Sequence, residues 1–232
     1  MNIITNKRLL KRACKKLGIP LSSSFRVFVP RIGKQARDAI EAYQKRRKLA
    51  INGKFDAATV ADMRLLLITP GEKALEHAIA WVGVKETSPN RSPEIDEMKR
   101  VLNGKTDRLP WCGDFVTFMF LIVGYDLRIG KTFNWRYCPS WVEAATRNTV
   151  VYGHPPARII KASRVAPGTI ALFDWDGDGV ADHIGFVEKH YGLASRVIAT
   201  PIATVEGNTE NAVKRRLRSR SSIMMFVDVL DI

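Results

Sequence analysis

The chain carries three cysteines, Cys14, Cys112 and Cys138, and four histidines. One residue of each type has a setting suited to chemistry. Cys112 lies in Leu109-Pro-Trp-Cys-Gly-Asp-Phe-Val116, where an apolar helical run begins just after a Pro-Trp pair that resists helix. A thiol in the first turn of a helix meets the positive end of the dipole, which lowers its pKa from ~8.5 toward neutrality. The thiolate is the nucleophilic form, so a catalytic cysteine belongs here; a buried structural cysteine is the competing reading. A thiol nucleophile needs a base. His183 opens the strand-like run Ala181-Asp-His-Ile-Gly-Phe-Val187. Alternation puts His183, Gly185 and Val187 on one face, with the glycine leaving space beside the imidazole. His77 within a helix, His154 in a Gly-Pro-Pro loop and His190 near a strand end read as ordinary residues. A base needs an orienting group. Glu206 and Asn208 are two apart in Val205-Glu-Gly-Asn208, so an extended chain points both to the same face. One would hold the imidazole through its Nδ1 proton, and the other would help orient it or polarise a carbonyl. Taken alone, this pair also reads as an Asn-containing turn beside an exposed Glu. Cys14 and Cys138 lack a comparable setting and are assigned to packing.

A second cluster is acidic. Asp174-Trp-Asp176-Gly-Asp178-Gly-Val-Ala-Asp182 has the spacing of the first ligands of a calcium loop, but position 12, normally Glu, is Gly185. Two readings stand: an acidic hairpin turn beside the site, or a calcium loop that orders the strand carrying His183. Thiol chemistry requires no cofactor, so calcium is the one ion the sequence admits.

The elements that must position these residues fall into two groups. Helices are expected at 5–17, 34–48 and 57–67, the last capped by Asp56 after the turn at 51–55. Pro70-Gly71 closes this three-helix unit, 1–68. A helix from 72 to Gly83 opens the second unit, 72–232, followed by a regular element at 111–123 and a stretch of weak periodicity over 124–165. Strand-like runs then cover 169–175, 183–191, 197–207 and 223–230. Helices followed by short strands indicate an α+β fold with an antiparallel sheet.

The 232 residues suffice for one large domain or two small ones. An apolar share of 46% and a charged share of 26% exclude collagen-like, disordered and polytopic membrane chains. The net charge of +14 is uneven: residues 1–68 carry +12 of it. Such a module favours a polyanion, whether nucleic acid, anionic lipid or an acidic wall polymer. The recognition-helix and arm pattern of DNA-binding proteins is missing, which disfavours nucleic acid. Three sparse cysteines without a CxxC pair suggest free thiols and a reducing compartment. The basic N-terminus lacks the apolar core of a secretory signal. The longest nearly apolar stretch, Phe115 to Val123, is far short of the ~20 residues of a membrane span. A soluble monomer without membrane insertion is expected.

The segment from about 72 to 230 resembles the CHAP family of cysteine-dependent amidohydrolases/peptidases. The resemblance rests on WVGVKE (81–86), WCGDFV with Cys112, GTIALFDW and DHIGFVE (168–188) with His183, and VEGN (205–208). It implies a papain-like α+β fold and cleavage of peptidoglycan as a muramoyl-alanine amidase or peptide endopeptidase. Cys112 would be the nucleophile, His183 the base and Glu206 the orienter, with Asn208 beside it. Trp-Cys-Gly-Asp departs from the pattern of many members and leaves the oxyanion-hole donor unassigned beyond the Cys112 N–H. Residues 36–67 resemble the type 1 peptidoglycan-binding domain, through a Tyr-Gln helix, an Asn-Gly-x-Phe turn and a Thr in the last helix. Together these imply a phage endolysin, held in the host cytoplasm until released onto the wall, with peptidoglycan and anionic wall polymers as partners. A virion-associated wall hydrolase and a non-catalytic basic wall- or nucleic-acid-binding protein remain open.

Overall fold

A computed structural model of the chain describes residues 3–27, 31–128, 133–147, 157–190 and 201–229. Two compact units are present, Met1–Ile68 and Thr69–Ile232.

Among its described residues the first unit holds three helices, α1 (Ile3–Lys16), α2 (Lys34–Arg46) and α3 (Ala57–Leu67). Leu10, Ala13, Cys14, Ile40, Tyr43 and Met63 form its fully buried centre. Asp56 caps α3 by accepting the Thr59 N–H at 2.7 Å. The buried Gln44 ties the turn to the helices. Its Nε2 donates to Asn52 Oδ1 (2.8 Å), Thr59 Oγ1 (2.9 Å) and the Lys54 carbonyl (3.2 Å). Its Oε1 accepts from the N–H groups of Asn52 (3.0 Å) and Gly53 (3.1 Å). Beside it, Tyr43 and Arg47 both donate to Asp62.

The second unit is α+β. Among the described residues, helices α4 (Pro70–Ala80), α5 (Pro93–Asn103), α6 (Cys112–Ile122) and α7 (Cys138–Thr146) precede six strands. These are β1 (Ala157–Ile159), β2 (Ile170–Phe173), β3 (His183–His190), β4 (Ile202–Thr209), β5 (Ala212–Arg218) and β6 (Ile223–Val229). They form one sheet in the order β1-β6-β2-β3-β4-β5, and every pairing is antiparallel. The helices cover one face, where Ile170, Leu172, Ile184, Phe186 and Val205 meet Phe115, Met119 and Phe120. On the other face Ala171, Phe173, Val187, Ile202 and Phe226 form a smaller cluster. Burial on both faces explains why β2 reads as an unbroken apolar run, Ile-Ala-Leu-Phe.

The α6 helix lies against β3 and β4. Its close approach depends on Gly207: a Cβ there would sit 2.5 Å from Phe115 Cγ. Side chain at 207 and helix at 112–122 cannot share that space, so the VEGN glycine sets how near α6 comes to the sheet.

Several boundaries differ from expectation. Pro70 does not close the first unit but starts α4. The Thr69 side chain accepts the Glu72 N–H and Glu72 accepts the Thr69 N–H, a reciprocal capping box with proline in the first turn. The helix accordingly begins before 72 and ends at Ala80 rather than Gly83. Helix α5 was not anticipated, although Ser92 caps it and Pro93 opens it. Helix α7 lies inside the stretch read as aperiodic, and the Lys-Arg-Arg run at 214–216 masks β5. Strand β4 begins at Ile202; expected strand residues 197–200, and His154, lie outside the described residues. Among the described residues, no helix is long and apolar enough to cross a membrane.

Candidate active site

Cys112 is the first residue of α6 and is 6% exposed. The chain entering it is held by a buried cage. Lys99, wholly buried, donates to the carbonyls of Asn90 (3.2 Å), Asp107 (3.0 Å) and Leu109 (2.9 Å). Arg136 forks onto Asp107 at 2.6 and 2.9 Å, and this contact holds the Asp107 carboxyl well below its ordinary range. Arg136 also lies 2.9 Å from Asp114, without the alignment of a hydrogen bond. Burial pushes the Asp114 carboxyl up to about 6, against the pull of Arg136 and Lys99. Trp111 is fully buried and its indole N–H donates to Glu86 at 2.9 Å.

His183 opens β3, opposite Phe173 on β2. Its Nε2 lies 3.2 Å from Glu206 Oε2, at ion-pair distance but off line for an N–H···O bond. This corrects the expectation that Nδ1 faces the carboxylate: Nε2 does. The space beside the imidazole is also not empty. A Cβ on Gly185 would lie 2.6 Å from Glu206 Cγ, so Glu206 occupies the room the glycine leaves.

Glu206 is fully buried. Oε1 accepts from Thr204 Oγ1 (2.5 Å) and Arg218 Nε (2.8 Å), while Oε2 accepts from the second Arg218 nitrogen (2.5 Å). Burial alone would raise its pKa, but Arg218 and His183 outweigh it and hold the carboxyl at about 2.

The sulfur has a second neighbour. Cys138, the first residue of α7 and assigned from the sequence to packing, is buried with its Sγ 3.7 Å from Cys112 Sγ. A hydrogen bond from Cys138 is the largest influence lowering the Cys112 pKa. Burial opposes it, and His183 and the Gly113 N–H reinforce it, so the thiol is shifted well below its ordinary value. The same contact, with burial, drives the Cys138 pKa far up. Burial disfavours the His183 cation, yet its contacts with Cys112 and Glu206 together raise it to about 9. Both shifts favour the charged forms, a thiolate beside an imidazolium.

Asn208 is not placed by simple alternation. The β4–β5 register shifts between Glu206 and Thr209, and Asn208 takes φ +58° in the left-handed region. It lines a cleft of about 280 Å³ with His183, Trp175, Thr209, Arg216 and Arg218. Trp175 is 47% exposed, stacks on Phe173 and covers the Arg218 guanidinium at 4.8 Å.

In the acidic turn, carboxylate oxygens of Asp174, Asp176 and Asp182 lie within 4.8 Å of one another; Asp178 is outside this trio. Asp174 accepts the Gly177 and Gly179 N–H groups, Asp182 accepts that of Trp175, and Asp178 accepts that of Val180. The turn is thus closed by its own amides, and a cation would share oxygens already in use. His77 is exposed on α4, and Cys14 is buried in the first unit, where burial pushes its thiol up to about 11.

Cys112, His183 and Glu206 are brought together from α6, β3 and β4, and Asn208 lines a cleft with His183. Cys138, Arg218 and Trp175 join them unforeseen. Arg218 was hidden in a basic run, and Cys138 in a stretch without periodicity. No protein-family model matches the chain, and neither a curated protein nor a solved structure is detectably similar to it.

Proposed function

We propose that the second unit is a thiol hydrolase of the CHAP type, with a papain-like arrangement, that cleaves an amide bond of bacterial peptidoglycan. The bond is the N-acetylmuramoyl-L-alanine link or one in the stem peptide or cross-bridge. The carrying observation is His183 set between a helix-start cysteine and a buried carboxylate.

In this mechanism the Cys112 thiolate attacks the amide carbonyl carbon, and the carbonyl oxygen becomes an oxyanion. N–H groups of the first α6 turn, beginning with that of Cys112, are the nearest donors for it. Collapse breaks the C–N bond while imidazolium His183 protonates the leaving amine, which gives a thioester and a neutral imidazole. A water molecule then gives its proton to His183 and attacks the thioester. A carboxylic acid leaves and the thiolate–imidazolium pair returns. Glu206 holds the ring and stabilises its charge throughout.

The first unit acts as a wall-binding module of the type 1 peptidoglycan-binding kind. Of its motif residues, Gln44 ties Asn52 and Gly53 of the turn to Thr59, and the unit's +12 charge suits anionic wall polymers. The role that fits both units is a phage endolysin released onto the wall of its host.

The test uses purified walls. Cys112→Ala should bind them as the parent does and release no new amine ends. Mass spectrometry of muropeptides from the parent identifies the bond through the new terminus. Turbidity loss undiminished in Cys112→Ala overturns the assignment.

A further inference from the structure

Glu206 lies closer to Arg218 than to His183. Both of its oxygens accept from the Arg218 guanidinium, at 2.8 and 2.5 Å, whereas His183 Nε2 stands at 3.2 Å and off line. The arginine is itself held. It projects from the last residue of β5, with its guanidinium 4.8 Å from the Trp175 ring centroid and 5.7 Å from that of Phe173. Trp175 and Phe173 stack at 4.9 Å with 14° between their planes, and Phe173 is the cross-strand partner of His183. The Trp175 and Phe173 rings also lie 6.0 and 5.7 Å from the imidazole. One aromatic pair therefore supports both cations that flank the carboxylate.

We propose that Arg218 is a positioning residue of the catalytic system: it keeps the buried Glu206 ionised and fixed, so that the carboxylate can hold His183 as an imidazolium beside the Cys112 thiolate. The proposal rests on the thiol-hydrolase reading and adds a fourth member to its charge chain.

The physical case is one of desolvation. A lone ionised carboxylate with no solvent exposure is costly, and it escapes that cost by taking up a proton. Thr204 supplies one neutral donor, and His183 alone is misaligned. The arginine fork supplies a permanent charge and two donors in the geometry a carboxylate matches. Without it, Glu206 takes up a proton at the working pH. A neutral carboxyl no longer holds the ring as a cation, and Cys112 then loses one of the contacts that favour its thiolate, with the Cys138 hydrogen bond left in place. Lysine restores charge without the fork or the flat stack on Trp175, so it rescues only in part.

The thiolate can be read without substrate, by its absorbance near 240 nm against pH in the full-length protein, taken as the difference from the matching Cys112→Ala variant. The parent should titrate well below an ordinary thiol. Arg218→Met should move the midpoint up by about one pH unit or more, a tenfold loss of thiolate below it, and Arg218→Lys by less. On a Glu206→Gln background Arg218→Met should add nothing, because the arginine acts through that carboxylate. A midpoint unmoved in both Arg218 variants, with only a lower melting temperature, overturns the positioning role. So does a full shift on the Glu206→Gln background. Should Arg218→Met not fold, the Lys variant and its Glu206→Gln partner decide alone. A parent that titrates as an ordinary thiol instead removes the hydrolase reading itself, so the two failures are distinct.

Discussion

The buried polar cluster around Gln44 in the first unit and the one around Glu206 in the second differ in how completely they are satisfied. In the first unit Gln44 uses both side-chain atoms on five partners, all neutral and all on the same turn and helices. In the second, three charged side chains meet with the His183 Nε2 left unbonded. A neutral, fully bonded network fixes a fold; a charged network holds ionisable groups in place for proton transfer. The glycines show the same division of labour. Gly185 and Gly207 create room for Glu206 and for α6, respectively, so backbone choices in the second unit serve the site.

The sharpest way to break this contrast is to delete one residue from each cluster. His183→Ala should lower turnover by about a thousandfold or more. Gln44→Ala should leave cleavage of soluble muropeptides intact and destabilise the first unit by about 2–4 kcal/mol, because orphaned buried groups remain. Swapped outcomes would dissolve the distinction. All five tryptophans lie beyond residue 68, so their fluorescence reports unfolding of the second unit, and far-ultraviolet dichroism adds the first.

Acid should separate the units next. The Glu206 carboxyl sits at about 2 in place of 4.5, so its contribution is complete above pH 4.5 and is lost as pH falls through 2. That is about 3 kcal/mol from the second unit, readable as a falling tryptophan-detected denaturant midpoint. A midpoint that holds steady from pH 5 to 2 contradicts it.

A smaller effect concerns the paired sulfurs. Activity should decline above pH 9 as His183 loses its proton, and Cys138→Ala should raise the acid limb of the same profile because Cys112 loses its donor. Cys138→Ser, which keeps a donor, should move that limb less. An identical profile in both variants would reduce Cys138 to packing. Smallest of all is the acidic turn: chelator should change lysis by less than about twofold, since the turn closes on its own amides. A large loss restored by calcium would instead assign an ion to Asp174, Asp176 and Asp182.

Local chemistry was legible along the chain. The apolar run after Pro110-Trp111 marked the start of α6 at Cys112, and Asp56 marked the start of α3. The helix-then-strand order indicated the α+β class, because apolar periodicity and turn residues act over a few positions and are written in sequence. Elements whose pattern was overlaid by charge, such as β5, or broken by short length, such as α7, were not legible.

What the sequence determined by itself was the set of residue types able to do thiol chemistry and the elements carrying them. The tertiary structure decided which atoms meet. The facing of Nε2 toward Glu206, the filling of the Gly185 space, the contact of Cys138 with Cys112 and the clamp of Arg218 all join residues 12 to 26 positions apart or on different strands. Such contacts follow from strand register, a β-bulge and the depth to which α6 packs. Those are properties of the whole fold, which no local pattern encodes.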